Sequence, residues 1–158
     1  MTTGLFIAGL GIFTSVVMAG IGSAVGIGLA GQVAAGVMSE DPKNFGKYLM
    51  LIALPGTQGI YGFVIGFLVI MKLGILTGNL PALTVSQGLN VFIAAAPIGF
   101  AGLVSAIHQG KVCAAGIEMA AKQPADVGKA LVMGVFVEFY AVLGLLVSFF
   151  LVWFGINV

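Results

Sequence analysis

Arginine is absent from this 158-residue chain, and charge of either sign is scarce: there are six lysines, five acidic residues and one histidine. Charged residues make up 7% of the sequence, against about 25% in a soluble globular chain. So few charges build neither a basic face for nucleic acid nor an acidic tail. Cys113 is the only cysteine, which excludes an intramolecular disulfide. With no second cysteine and no clustered histidine it is also a poor metal ligand, and it reads as a small packing residue. The stretch Met1 to Gly31 has no lysine or arginine ahead of its apolar run. The charged start of a cleavable secretory signal is therefore missing, and the segment is expected to stay as a helix.

What the chain has instead is apolar surface. Hydrophobic residues make up 60% of it and the mean hydropathy is +1.20, which places it in a bilayer. Nearly uncharged stretches run from about Leu5 to Met38, Tyr48 to Thr77, Gln87 to Ala121 and Val127 to Ile156. Each exceeds the ~20 residues that cross a membrane, so the sequence predicts an all-α integral membrane protein of four transmembrane helices. Short polar turns separate them, at 39–47 and 122–129, with a middle loop around Gly78-Asn79-Leu80-Pro81.

Sliding the sequence on itself reveals a duplication. Pro42 falls on Pro124, an offset of 124 − 42 = 82. At that offset Ser23-Ala24 meets Ser105-Ala106, Gly28 meets Gly110, Gly46-Lys47 meets Gly128-Lys129 and Gly62 meets Gly144. The expected organisation is two tandem helical hairpins, 1–80 and 81–158. Two helices per repeat keep both copies in one orientation, a parallel rather than an inverted repeat. Lys43, Lys47, Lys122 and Lys129 flank the polar turns, whereas the opposite side has little beyond Lys72. The positive-inside rule puts both turns in the cytoplasm of a multi-pass cell-membrane protein, with both termini outside and Trp153 and Phe154 at the outer interface.

Glycine and alanine recur at four-residue spacing along the first span, as in Gly22, Gly26, Ala30 and Ala34, which lets backbones approach closely. Gly26-Ile27-Gly28-Leu29-Ala30-Gly31 formally matches GxGxxG. It has neither a preceding strand nor a following acidic residue for a ribose, so no nucleotide is expected on this chain.

Glu138 lies far from both ends of the fourth span. A charge at such depth costs at least ~2.5–3.5 kcal/mol, which makes an intramembrane carboxylate a functional candidate by default. On a helical rise, Glu138 beyond Lys129 and Gln58 beyond Lys47 both sit about 14–17 Å into the membrane. Gln109, about 20 Å from the same side by the same rise, reaches that layer with a flexible side chain. Leu54, Thr57, Gln58 and Tyr61 share one helix face, and Pro55 interrupts the hydrogen-bond ladder there and can expose backbone carbonyls. One carboxylate with several neutral oxygens suits one monovalent cation, because Ca²⁺ or Mg²⁺ usually recruits more carboxylates or water. A proton needs far fewer acceptors, which favours Na⁺ over H⁺. Glu138 corresponds to Gly56 and Gln109 to Ile27 across the repeat, so a single hairpin carries the charge. His108 neighbours Gln109 but points to a different helix face, Tyr140 reads as a packing aromatic, and Lys111 and Glu118 read as structural and interfacial.

Leu54-Pro55-Gly56-Thr57-Gln58-Gly59-Ile60-Tyr61-Gly62, Gln109-Gly110-Lys111-Val112 and Val137-Glu138-Phe139-Tyr140-Ala141 give the chain its family likeness. Over essentially its whole length it resembles the duplicated four-helix proteolipid K subunits of bacterial V-type sodium ATPases. The resemblance implies a closed ring of copies that turns as a rotor, non-catalytic by itself, moving Na⁺ while ATP is hydrolysed on other subunits. It implies Glu138 as charged ligand, Thr57, Gln58 and Gln109 as side-chain ligands, the Leu54 carbonyl as backbone ligand and Tyr61 as the hydrogen-bond partner of Glu138. Implied partners are lipid, a stator membrane subunit with an essential arginine, and a central-stalk subunit at the cytoplasmic loops. Three rivals are weighed at this level: the same rotor carrying H⁺; a small proton-coupled multidrug exporter, which would need an aromatic, substrate-sized cavity at its carboxylate; and a structural or pore-forming proteolipid, which has no need of the Thr57, Gln58, Gln109 and Glu138 constellation.

Overall fold

The computed structural model describes residues 2–40, 42–78 and 80–156. Met1, Asp41 of the first polar turn, Asn79 of the middle loop and the two C-terminal residues lie outside the described residues. Four helices are long and apolar enough to cross a membrane: α1 (Thr3–Glu40), α2 (Pro42–Lys72), α3 (Val85–Lys122) and α4 (Pro124–Gly155). No strand occurs among the described residues, and the all-α, four-span architecture is the expected one. At 1.5 Å per residue the 38-residue α1 and α3 are about 57 Å long, well beyond the hydrocarbon thickness, so their ends project. Both boundaries of α2 differ from expectation: it begins at Pro42 rather than Tyr48, taking in part of the first polar turn, and it ends at Lys72 rather than Thr77. Gly74 adopts φ 66°, a left-handed conformation open to glycine, and it stops the helix there.

Several small residues of α1 make its contact with α3. A Cβ on Gly22 would lie 2.6 Å from Leu103 Cα, and one on Gly110 would lie 2.5 Å from Gly26 Cα. One on Gly11 would lie 2.8 Å from Phe92 Cα. The two helices therefore meet backbone on backbone along most of their length, as lipid-embedded helices do when no water drives them together. Helices α2 and α4 pack on this pair and expose large apolar side chains such as Phe63, Phe67, Phe136 and Phe139. Cys113 is fully buried and packs with Leu51, Ile117 and Ala130, while Lys111 and Glu118 are exposed.

Two apolar clusters fill the interior. One, with Tyr48, Leu51 and Ile117, lies toward the polar turns, and the other, with Ile65, Val69, Val91 and Ile98, lies toward the middle loop. Between them falls a layer of buried polar side chains, including Ser23, Gln58, Ser105, Gln109 and Glu138. Each intramembrane proline has a serine from a neighbouring helix beside its broken ladder. Next to Pro97 the Ile98 N–H donates to Ser148 Oγ at 3.1 Å, and beyond Pro55 the Gly59 N–H donates to Ser23 Oγ at 2.8 Å. Where α1 widens to a π turn at Thr14–Met18, Thr14 and Ser15 hydroxyls return to the carbonyls of Leu10 and Ile12.

The ends are tied across the repeat. At the polar-turn end Lys47 Nζ donates to the Pro124 carbonyl at 3.2 Å, joining the two turns. At the other end Lys72 Nζ donates to the carbonyls of Val152 and Trp153, at 2.9 and 2.5 Å, in the π turn that closes α4. These carbonyls carry the negative end of the helix dipole, which a cation satisfies. Replacing Lys72 by Met is expected to lower stability by about 1–2 kcal/mol, the usual scale for losing hydrogen bonds from a charged donor. Thermal unfolding of the purified protein in detergent checks this, and an unchanged midpoint would remove the lysine's capping role.

Candidate ion-binding site

Within the polar layer, the network around Glu138 is assembled by three helices. The 3₁₀ turn Leu54–Gly56 interrupts α2 at Pro55, which has no N–H to give, and α2 resumes at Thr57. Beyond the turn Thr57 and Tyr61 reach Glu138 on α4, and Gln58 reaches Gln109 on α3. From the other side α3 delivers Gln109, fully buried, and α4 delivers Glu138, 9% exposed.

Glu138 Oε1 accepts two hydroxyl donors, Thr57 Oγ1 at 2.7 Å and Tyr61 OH at 2.6 Å. Distances this short are typical of O–H groups donating to a carboxylate. Glu138 Oε2 faces Gln109 Nε2 at 3.4 Å, and the same nitrogen donates to the Gly134 carbonyl at 3.0 Å. Gln58 Nε2 donates to Gln109 Oε1 at 2.5 Å, which interlocks the two amides. The oxygens Leu54 O, Gln58 Oε1 and Glu138 Oε1 all lie within 3.3 Å of Thr57 Oγ1, at 3.0, 3.3 and 2.7 Å. Three oxygens thus compete for the one proton of the Thr57 hydroxyl, which can serve a single acceptor well.

Every residue singled out in the sequence for this layer is in it. Leu54, Thr57, Gln58, Tyr61, Gln109 and Glu138 form one connected network. Two details differ in kind from a bare ligand list. The Leu54 carbonyl already accepts from the Thr57 N–H that closes the 3₁₀ turn as well as from its hydroxyl, and Gln109 turns its nitrogen toward Glu138. The Gln109 oxygen keeps a second lone pair beyond the one engaged by Gln58. His108 and Tyr140 are outside the network, on a groove of about 550 Å³ with Phe100 and Val104. Sequence reasoning missed Ser23 and the Gly134 carbonyl. Pro55 carried the signal for the first, since a broken ladder obliges some neighbour to satisfy the amide it frees.

The pseudo-equivalent positions of the other hairpin are apolar. Gly56 and Ile27, which correspond to Glu138 and Gln109, also meet: a Cβ on Gly56 would lie 3.0 Å from Ile27 Cδ1. Adding 82 to 54, 57, 58 and 61 gives Phe136, Phe139, Tyr140 and Leu143, all on the surface. They line a groove of about 490 Å³ that does not include Glu138. Among the described residues no group of three or more His, Cys, Asp or Glu could hold a metal ion.

A duplicated helical hairpin with one buried carboxylate inside a shell of amide and hydroxyl oxygens defines a membrane proteolipid. The chain belongs to the ATP synthase C-subunit family, whose profile matches residues 10–69 and 92–151, once in each hairpin. It is 46% identical over 149 residues to the V-type sodium ATPase subunit K of Enterococcus hirae, covering 94% of this chain and 92% of that one. It is 38% identical over 151 residues to the A-type ATP synthase subunit K of Methanocaldococcus jannaschii, covering 96% of this chain and 64% of that one. To the 16 kDa proteolipid of the V-type proton ATPase of Nephrops norvegicus it is 29% identical over 147 residues, covering 92% of this chain and 89% of that one. Membership makes it a multi-pass membrane subunit of an ion-translocating ATPase, without catalytic activity of its own.

Proposed function

We propose that this chain is the ion-carrying rotor subunit of a sodium-transporting rotary ATPase, with Na⁺ as its cargo at Glu138, Thr57, Gln58, Gln109 and the Leu54 carbonyl. The relatives' names include both sodium and proton enzymes, so the choice of ion rests on local chemistry. The observation that carries it is the crowd of oxygens around Thr57. A protonated Glu138 would need one acceptor, and a hydroxyl supplies one proton. A hard monovalent cation takes about five or six oxygens, and these residues offer that number with a single negative charge. Tyr61 orients the carboxylate.

The cycle follows from neutralisation. Sodium on Glu138 cancels the charge, so the loaded site can pass through lipid, whereas an emptied carboxylate needs a positive partner. An arginine on a stator subunit would supply it, and a central-stalk subunit would take up rotation at the polar turns. The lysines beside those turns favour a cytoplasmic position for them, with the termini outside. Hairpins 1–80 and 81–158 act as one structural unit around one ion. The repeat also provides a template for a ring of copies. Gly110 packs on Gly26 inside the chain, while Gly28, the counterpart of Gly110, has open space within 4 Å in the single chain. That bare stretch of α1 suits the α3 of a second copy.

Carbodiimide attacks a protonated carboxyl, and its labelling of Glu138 in the purified ring tests the reading. Protection by millimolar sodium, and not by potassium, is the expected result. Labelling that follows pH alone would transfer the same rotor role to protons.

A further inference from the structure

We infer that Ser23, on α1 and outside the ligand network, is a positioning residue for sodium: its hydroxyl holds open the break in α2 that presents the Leu54 carbonyl, Thr57 and Gln58. In an unbroken α-helix the Gly59 N–H would bond the Pro55 carbonyl four residues back. The 3₁₀ turn Leu54–Gly56 shifts this register, and the Gly59 N–H is bonded to Ser23 Oγ at 2.8 Å. Ser23 is buried, and a Cβ on Gly59 would lie 3.2 Å from that oxygen, so the glycine is what allows the approach. No water is at hand in a bilayer to replace the bond, and a bare amide there would draw α2 back toward regular pairing. Regular pairing would move the Leu54 carbonyl and the Thr57 hydroxyl relative to Glu138.

The duplication supplies an internal control. Ser105 is the repeat counterpart of Ser23, and Ala141 that of Gly59. In place of Pro55 the second hairpin has Val137, and α4 runs as unbroken α-helix from Val127 to Phe150. No amide is freed, and Ser105 Oγ is buried without a hydrogen-bond partner. The same residue at the same place in two hairpins is engaged only under the broken helix, beside the ion site.

This assignment rests on the sodium reading, and one experiment separates the two. The sodium concentration giving half-protection from carbodiimide is measured on rings of wild type, S23A, S23C and S105A, together with the maximal rate of sodium-driven ATPase activity in the whole complex. S23A is expected to raise that concentration about ten-fold, the scale of one unsatisfied buried donor. S105A should match wild type, and the maximal rate at saturating sodium should be retained in both. S23C, nearly isosteric and a weaker acceptor, should fall between, and it carries the test if S23A fails to assemble. Equal half-protection in the Ser23 variants and wild type, or equal shifts in the Ser23 variants and S105A, would overturn the positioning role while leaving the sodium site intact. A wild-type ring that sodium does not protect would overturn the sodium reading and this assignment with it.

Discussion

Replacing Glu138 by Gln is expected to abolish sodium transport by the assembled ATPase. The substitution keeps the shape of the side chain and its capacity to accept from Thr57 and Tyr61, both within 2.7 Å of Oε1. What it removes is the charge. At an effective dielectric constant near 20, a unit charge pair about 4 Å apart is worth about 4 kcal/mol, close to a thousand-fold in affinity. A neutral amide also gives a stator cation nothing to attract, so loading and release fail together. Sodium uptake into vesicles containing the reconstituted complex measures this directly. Retention of a tenth of wild-type uptake would show that Glu138 is not the charged ligand.

The second large effect concerns assembly rather than chemistry. Gly110→Val would place a branched side chain on the backbone of Gly26, where even a Cβ would lie 2.5 Å from the opposing Cα. Overpacking an ordinary core costs about 1–3 kcal/mol because side chains can shift. Here the obstacle is a helix backbone, so α1 and α3 must separate over several turns. Loss of the intact ring on a native gel is expected, while Gly128→Ala, with open space around it near a polar turn, should assemble normally. An intact G110V ring would show that the α1–α3 contact is dispensable.

Much of this was legible in the sequence, for reasons particular to membranes. Hydropathy located four spans because lipid punishes charge over long stretches, and the depth of Glu138, Gln58 and Gln109 followed from counting residues at a fixed helical rise. The duplication gave the relation between hairpins. Legibility stopped where local backbone geometry took over. Pro55 announced a break in α2, but the amide it freed and the side chain that met it lie on different helices, and no spacing rule connects Gly59 with Ser23. The ligand role proposed for the Leu54 carbonyl came only with the family resemblance, because a carbonyl has no sequence letter of its own. The early end of α2 had the same origin: the left-handed Gly74 outweighed an apolar run that continues through Ile75 and Leu76.

The contact between α1 and α3 has a mechanical consequence. Side chains yield under load by changing rotamers, and a seam filled with them would twist like a soft coupling. At Gly22, Gly26 and Gly110 backbone meets backbone with no rotamer to yield, and packed backbones are poorly compressible. A rotor built on such a hub is torsionally stiff. It would pass torque from the ion site to the shaft with little elastic storage of its own, so the compliance that smooths mismatched steps between ion and nucleotide would belong to the stalks.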